Sequence, residues 1–236
     1  MWHALSAFSA DTPDHSFWYL FTRLGEAQIL LPAALGFSWW LARRAEARPL
    51  VQWWLSLLAL AILITTATKV AFIGWGIGNA ALDFTGVSGH AMFAAAVYPL
   101  LAAALAASST PPWRRLALAG GVALALLIGV SRLIVHSHSV SEVLAGLALG
   151  GTTSAVALAL AHAPHTRVPL LLPIGLALWL SVTPASAPSS PTHGLVTRLA
   201  LALSGHSQPH TRSQMHRAYR LKQQQQASAD AAATTR

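Results

Sequence analysis

Apolar runs alternate with short polar links along most of the chain, and each run approaches the length of a membrane-spanning helix. Crossing the hydrocarbon core takes about 20 apolar residues in a helix. The runs cover Phe17 to Leu41, Leu50 to Phe72, Ala91 to Ala107, Leu116 to Val135, Val140 to Ala161 and Val168 to Val182. The first run carries Arg23, Glu26 and Gln28 near one end, and the short sixth run contains Pro173. The pattern predicts an all-α polytopic membrane bundle with about six transmembrane helices, within residues 1–184.

Composition agrees with a chain that is solvated by lipid. Hydrophobic residues make up 54% of the 236 residues and charged residues only 9%, whereas soluble domains carry about 25% charge. So few charges cannot cover a water-facing surface. The sequence contains no cysteine, which excludes disulfides and thiolate metal sites. The N-terminal segment has no basic stretch typical of a cleaved signal peptide, so we expect the first apolar run to be retained.

Basic residues between the runs predict the orientation of the bundle. The links after the first, third and fifth runs contain Arg43, Arg44, Arg48, Arg114, Arg115 and Arg167. Short basic links stay on the cytoplasmic side. The links around residues 74–89 and 132–138 then face the periplasm or the exterior of an inner, cytoplasmic membrane. The net charge of +8 is accordingly attributed to topology signals and a basic tail, and no nucleic acid partner is expected.

Residues 185–236 form a basic tail whose side is ambiguous by charge alone. Six crossings leave the tail outside, although it carries Arg198, Arg212, Arg217, Arg220 and Lys222. Either long tails escape the charge rule or the short sixth run does not span. The first explanation is favoured, because charge bias weakens away from helix ends, and it places the tail outside. Leu195 to Leu203 is expected to form a short amphipathic helix on the membrane surface. The glutamine-rich end is expected to be disordered.

Chemistry-bearing side chains gather in the two outer links and at the helix ends beside them. They are Lys69, Asp83, His90, Arg132, His136, His138 and Glu142. Ionisable residues in or beside membrane helices are functional candidates, because their burial is costly. The topology brings both links to one membrane face, and this convergence predicts a site.

The link before the third run ends in Ser88-Gly89-His90. Ser and Gly before an apolar helix leave backbone N–H groups that bind anions, with His90 beside them. The alternative is a plain cap with an interfacial histidine. The same triplet recurs as Ser204-Gly205-His206 in the tail, where no apolar helix follows, and we interpret that copy as coincidence.

The link before the fifth run contains Arg132, His138 and Glu142. Arginine binds phosphate through two parallel hydrogen bonds. His138 and Glu142 are four residues apart and share a helix face, so the carboxylate can hold one imidazole tautomer while the other nitrogen attacks. Ser139 to Glu142 also has the pattern of a capping box, and both interpretations can hold together. Lys69 is either a phosphate ligand or an interfacial lysine that snorkels.

Together these segments resemble the type 2 phosphatidic acid phosphatase superfamily. That family's pattern is a lysine with Arg-Pro seven residues later, then Pro-Ser-Gly-His, then Ser-Arg, five residues, His, three residues and Asp. Here Lys69 matches the lysine, Val87–His90 the second part, and Ser131-Arg132 with His138 and Glu142 the third. The resemblance covers residues 69–142 and the helix layout.

Three positions depart from the pattern. Gly76-Ile77 stands where Arg-Pro is expected, Val87 replaces the proline, and Glu142 replaces the aspartate. Glutamate keeps the charge on a longer side chain. The missing arginine leaves one phosphate ligand absent or supplied from elsewhere, and a weakened or altered activity is one consequence.

The resemblance implies a metal-independent membrane phosphatase without a cofactor. His138 would attack phosphorus and form a phosphohistidine, and Glu142 would orient His138. His90 would protonate the leaving oxygen and then activate water. The substrate would be the phosphomonoester or diphosphate of a lipid: phosphatidic acid, phosphatidylglycerol phosphate, a polyprenyl diphosphate or a lipid A type. The active site would face the periplasm or the exterior.

The same resemblance assigns phosphate binding to Lys69, Ser88, Gly89 and Arg132, which would neutralise the equatorial oxygens. Partners are then a lipid phosphate and the surrounding membrane lipids.

Three alternatives remain at this level. His90, His136, His138 and Glu142 could ligate zinc, although Lys69 and Arg132 suit an anion better. The protein could bind or carry a lipid phosphate without turnover, as the missing arginine suggests. A phosphohistidine could also pass its phosphate to a second lipid.

Overall fold

The computed structural model describes residues 13–161, 168–186 and 191–234. Within these ranges helices α1 to α9 cover Pro13–Arg23, Ala27–Ala42, Arg48–Trp75, Gly89–Leu105, Pro111–Ile134, Val140–Leu160, Leu171–Ser186, Thr192–Ser204 and Arg212–Thr234. These described residues form no β-strand, only an isolated bridge between Asn79 and Phe84. The predicted all-α fold is confirmed. Two predictions fall outside the described residues. They concern the N-terminal segment, which was expected to lack a signal peptide, and the link residue Arg167.

Apolar helices of membrane-spanning character occur in the part of the chain that was predicted to form the bundle. In the described part of the chain, α3, α5 and α6 are long and apolar enough to cross a membrane, and α4 and α7 are shorter apolar helices. These helices follow the second to sixth predicted runs. Pro111 at the start of α5 fits the first helical turn, because proline has no N–H to lose there. The helices support a membrane bundle, and the number of six crossings stays a prediction.

The first apolar run forms two helices, so the prediction of one continuous helix is wrong. The chain turns at Leu24–Glu26, between α1 and α2, where each N–H bonds to a carbonyl three residues earlier. The hydroxyl of Tyr98 in α4 donates to the carbonyl of Leu24 at 2.9 Å. A Cβ on Gly25 would lie 2.8 Å from Ile128 and 3.0 Å from His90. Glycine therefore lets the turn pack directly on α4 and α5.

Helix α4 is the central helix of its unit. Every residue from Ala91 to Leu101 is buried, and α4 packs along α5 and α6. Trp54 of α3 is fully buried and its Nε1 donates to the carbonyl of Ala96 at 2.9 Å. Ser154 of α6 donates to the carbonyl of Ala95 at 2.9 Å. These contacts fix α4, and with it the candidate residues at its N-terminus.

Glycines on α6 let its backbone approach α4 closely. A Cβ on Gly146 would lie 2.6 Å from the carbonyl oxygen of Ser88, and one on Gly150 would lie 2.1 Å from that of Met92. Small residues at helix contacts are typical of membrane bundles, where close backbone packing drives association. The first turns of α4 and α6 are thereby held side by side.

We expect Gly150→Ala to destabilise the protein, since a Cβ there has no room beside the carbonyl of Met92. Overpacking of this kind costs about 1–3 kcal/mol. Thermal unfolding in detergent should show a lower midpoint for this variant. Gly151→Ala is the matched control, because a Cβ at Gly151 would have no atom within 4 Å among the described residues. Equal midpoints for the two variants would contradict the packing.

A second compact unit consists of Ile64–Val87 and Pro191–Arg236, and the first comprises Met1–Leu63 and Ser88–Ser190. The core of the second unit joins the end of α3 to the tail. It is built from Val70, Phe72, Ile73 and Ala200, with Val196 and Met215 against it. The N–H of His210 donates to the carbonyl of Ile73 at 2.9 Å. The tail is thus packed on the last turns of α3.

Asp83 has a structural explanation in this second unit. Its carboxylate accepts from Arg212 at 2.6 Å and lies 2.6 Å from Nε2 of His216. Arg212 also donates to Thr85 Oγ1 at 3.2 Å. The tail therefore contacts the link that follows α3.

The tail is more ordered than predicted. Helix α9 contains the glutamine-rich stretch that was predicted to be disordered, because Gln, Ala, Lys and Arg are good helix formers. The short helix predicted at Leu195 to Leu203 is present as α8, and its place on the membrane surface stays a prediction. In Ser204-Gly205-His206, Gly205 ends α8 with φ 71°. This triplet terminates a helix, whereas Ser88-Gly89-His90 begins one.

Candidate active site

The N-terminus of α4 and the first turn of α6 meet through one backbone hydrogen bond. Ser88 is the N-cap residue of α4, and its N–H donates to the carbonyl of Glu142 at 3.1 Å. Gly146, one turn further along α6, packs against the carbonyl of Ser88. Gly89 begins α4 and His90 follows in its first turn. The first turns of α4 and α6 are therefore in direct contact.

Glu142 contacts the imidazole of His138 and caps α6 at the same time. Oε2 of Glu142 lies 2.7 Å from Nδ1 of His138 and accepts from the N–H of Ser139 at 3.2 Å. The Ser139 hydroxyl accepts in return from the N–H of Glu142, which completes a capping box. The Glu142 side chain is fully buried, and that of His138 is 15% exposed. The structure therefore contains both the contact with His138 and the predicted capping box.

This pairing suits a nucleophilic imidazole. A carboxylate that accepts from Nδ1–H fixes the tautomer in which Nε2 carries the lone pair. The buried charge of Glu142 would also stabilise the positive charge that develops on His138. The geometry can therefore support attack by Nε2 on an electrophile.

Arg132 and His90 line one cavity of about 410 Å³. The other lining residues all come from α1 and the turn after it: Tyr19, Leu20, Thr22, Arg23 and Glu26. Nη1 of Arg132 donates to Thr22 Oγ1 at 2.9 Å, which ties α5 to α1. The cavity is large enough for a phosphate group and carries cationic side chains in its wall.

Two buried polar atoms near this region have no hydrogen-bond partner within the described part of the chain. They are Nε of Arg132 and Oγ of Ser88. Buried polar atoms are nearly always hydrogen-bonded, and an orphaned donor costs about 1–3 kcal/mol. Both atoms can donate to the oxygens of an anion. Each of these side chains is therefore suited to donate to an anion.

His136 ends α5 and turns the chain towards His138. Its φ is 51°, a left-handed conformation in which histidine is enriched. The N–H of Ser137 donates to the carbonyl of Arg132 at 3.1 Å, and that of His136 to the carbonyl of Leu133 at 3.0 Å. This is a Schellman motif with His136 in the position that glycine favours. His136, which matches no position of the family's sequence pattern, thus terminates helix α5.

We expect His136→Gly to preserve stability and activity, since glycine adopts this conformation at no steric cost. His136→Val should destabilise the protein, by about 1–3 kcal/mol for a strained backbone. Thermal unfolding and phosphate release of both variants test this. If His136→Gly lost activity while keeping its stability, His136 would have a chemical role.

Lys69 and Gly76 belong to the second unit. Lys69 is half-buried on α3, and a Cβ on Gly86 would lie 2.9 Å from its Cγ. The N–H of Val87 donates to Thr68 Oγ1 at 3.1 Å, so this turn of α3 is tied to the link that leads into Ser88. Gly76 has φ 69°, and a Cβ there would lie 2.9 Å from His210. An arginine at position 76 would be strained in this chain.

No three His, Asp or Glu side chains form a group that could hold a metal ion in the residues that the structure describes. The zinc set of His90, His136, His138 and Glu142 is therefore not assembled there. The cationic side chain of Arg132 in the cavity wall with His90 also suits an anion rather than a cation.

Sequence reasoning missed the contribution of α1 and its turn to the cavity. Arg23 and Glu26 were noted only as charges near the end of an apolar run. The sequence signal for this contribution is the pair of opposite charges on either side of Gly25. Charges within membrane segments are usually functional.

Comparison with known proteins identifies the family. A family model described as the PAP2 superfamily matches residues 10–166. The chain belongs to the PAP2 superfamily. The resemblance seen in residues 69–142 to the type 2 phosphatidic acid phosphatases is thereby confirmed. A Klebsiella pneumoniae protein described as "Uncharacterized 22.5 kDa protein in cps region" is 35% identical over 204 residues, 85% of this chain and 98% of that protein. No solved structure matches the chain significantly.

PAP2 superfamily proteins are generally phosphatases that act on phosphoric esters. Membership therefore supports a phosphatase-type family for this chain. Together with the apolar helices, it also indicates a membrane protein.

Proposed function

We propose that this PAP2 superfamily protein is an integral-membrane phosphatase that hydrolyses a lipid phosphomonoester or diphosphate through a phosphohistidine on His138. The reaction needs no metal in this proposal. The site faces the periplasm or the exterior of the cytoplasmic membrane, where the phosphate of an amphiphile reaches it. Phosphatidic acid, phosphatidylglycerol phosphate, a polyprenyl diphosphate and a lipid A phosphate are the substrate classes.

One observation carries the proposal: Glu142 joins the histidine and the anion-binding helix terminus. Its side chain lies 2.7 Å from His138 Nδ1, and its backbone carbonyl accepts from the N–H of Ser88 at 3.1 Å. A nucleophile and an oxyanion site that share one rigid residue are positioned relative to each other before substrate binds. Such preorganisation supplies most of the catalysis in phosphoryl transfer.

In the first step, Nε2 of His138 attacks phosphorus. A P–N bond forms while the bond from phosphorus to the lipid oxygen breaks. His90 gives a proton to the leaving oxygen, so the lipid departs as a neutral alcohol or a lower phosphate. Glu142 stabilises the positive charge on the phosphorylated imidazole.

In the second step, His90 acts as a base. It takes a proton from water as the water oxygen attacks phosphorus, and the P–N bond breaks. Inorganic phosphate leaves and His138 regains its lone pair. Arg132 and the N-terminus of α4 at Ser88 and Gly89 neutralise the equatorial oxygens throughout. Lys69 is assigned the same task by the family resemblance alone.

A phosphate-release assay on the purified protein tests the function. The panel contains the four lipid classes, each with and without excess EDTA. We expect release from at least one lipid and the same rate with chelator. Release that EDTA abolishes would favour a metal mechanism, and no release from any lipid would contradict the phosphatase proposal.

A lipid-phosphate carrier or a phosphotransferase is the alternative. Gly76, in place of the family's arginine, favours a weakened or altered activity. Reaction in ¹⁸O-water separates these outcomes. Hydrolysis puts one solvent oxygen into the released phosphate, a transferase forms a second phospholipid without solvent oxygen, and a carrier forms no product.

A further inference from the structure

The wall of the 410 Å³ cavity contains a second arginine, contributed by α1. Arg23 lines the cavity together with Arg132 and His90. It follows Thr22 directly in the chain, and Thr22 accepts from Arg132 at 2.9 Å. The contact between Thr22 and Arg132 therefore anchors the segment that carries Arg23.

Neighbouring groups fix the guanidinium of Arg23. Its Nε donates to Oε1 of Glu26 at 3.1 Å, and its Nη1 donates to the carbonyl of Pro184 in α7. Oε2 of Glu26 accepts from Gln28 at 2.5 Å. The side chains of Arg23 and Glu26 are 18% and 9% exposed. A buried carboxylate thus orients a partly accessible arginine in the cavity wall.

The charges of the wall decide what the cavity can bind. Its lining residues with a formal charge are Arg23, Arg132 and Glu26, beside His90 and Tyr19. Without Arg23, the charges of Arg132 and Glu26 would cancel. Because the cavity contains Arg23, the formal charges sum to one positive charge, which favours an anion in a weakly screened site.

We propose that Arg23 binds the substrate phosphate in this cavity and that Glu26 is the residue that positions it. The inference rests on the proposed function. It adds a second cation in a chain whose Gly76 stands where the family pattern has an arginine. Arginine forms charge-assisted hydrogen bonds with phosphate oxygens, and α1 supplies this second cation beside Arg132.

Binding of inorganic phosphate to the purified full-length protein tests the inference independently of turnover. Arg23→Gln should weaken phosphate binding about 10- to 100-fold, which corresponds to the loss of a charge-assisted hydrogen bond. Arg43→Gln is the matched control, since Arg43 lies over the ring of Trp39 at 3.8 Å and outside the cavity. It should leave binding within about twofold. Calorimetry in detergent measures both.

Glu26→Gln should also weaken phosphate binding, but less than Arg23→Gln, because the guanidinium remains and loses only its orientation. A folding defect is recognised by the thermal midpoint. If Arg23→Gln is unstable, Arg23→Ala is tested with added guanidinium. Guanidinium should restore phosphate binding, whereas sodium chloride at equal ionic strength should not. Equal phosphate affinity in Arg23→Gln and Arg43→Gln, or no rescue, would overturn the inference. Arg23-dependent phosphate binding without turnover of any lipid would instead contradict the proposed phosphatase and leave the inference standing.

Discussion

Replacing His138 by Ala should abolish phosphate release from the lipid substrate, with a loss in kcat of at least about 10³-fold. The imidazole is the nucleophile in the proposed mechanism, and water without it must attack a phosphate anion directly. The rate of phosphate release measures the loss. With a ³²P-labelled lipid, the unmodified protein should also carry an acid-labile, base-stable label that the variant lacks, because a phosphohistidine is stable in base.

The control for His138→Ala lies in the same link. His136→Gly keeps the turn that ends α5, and should label and turn over as the unmodified protein does. Removing the imidazole leaves the buried carboxylate of Glu142 without that contact, at a cost of about 1–3 kcal/mol. Retained phosphate binding would show that the variant is folded. Unchanged phosphate release or a remaining label in folded His138→Ala would exclude His138 as the nucleophile.

The helices after the first run could be predicted closely, because their signals are local. Uninterrupted apolar runs of membrane length correspond to α3, α5 and α6, and Pro111 and Ser139 begin two of them with ordinary helix-start chemistry. The break between α1 and α2 has no such signal. It depends on Gly25 packing against Ile128 and His90, which are distant in sequence.

The same contrast divides the candidate site. The contact between His138 and Glu142 was predicted from helical spacing, but His138 lies before the N-cap of α6, and Glu142 reaches back to it from the first turn. The capping box of Ser139 follows from its sequence pattern. The role of α1 does not, since the hydrogen bond from Arg132 to Thr22 spans 110 positions of the chain. Only the tertiary packing of α1 against α5 reveals it. Periodicity identifies neighbours along one helix, whereas cavities are assembled from several.

The tail shows a different limit. A glutamine-rich, polar composition predicted disorder, but helix propensity along α9 and anchoring at Asp83 outweigh it. Arg212 and His216 both contact that carboxylate. The partner of Asp83 could not be read from the link in which it lies, because the pairing residues are 129 and 133 positions away.

Glu142→Gln should lower kcat about 10²- to 10⁴-fold while the protein stays folded, by analogy with other carboxylate–histidine pairs in which an amide stabilises the wrong tautomer. Oε2 of Glu142 contacts both the N–H of Ser139 and Nδ1 of His138. An amide oxygen in that place would keep both contacts but lose the negative charge, whereas the NH₂ group there would give up the bond from Ser139 and donate to Nδ1. That arrangement puts the imidazole proton on Nε2 and removes the attacking lone pair. Single-turnover labelling with ³²P-lipid measures the rate of phosphohistidine formation directly.

Two further variants separate the chemical role of Glu142 from its role as a cap. Ser139→Ala removes the N-cap of α6 and should cost about 1 kcal/mol of stability, with kcat nearly unchanged, because the carboxylate still faces His138. Glu142→Asp keeps the charge and matches the family pattern, so it should recover part of the lost rate. If Ser139→Ala slowed labelling as much as Glu142→Gln does, then helix capping rather than orientation of the imidazole would explain why a fully buried carboxylate lies at this position.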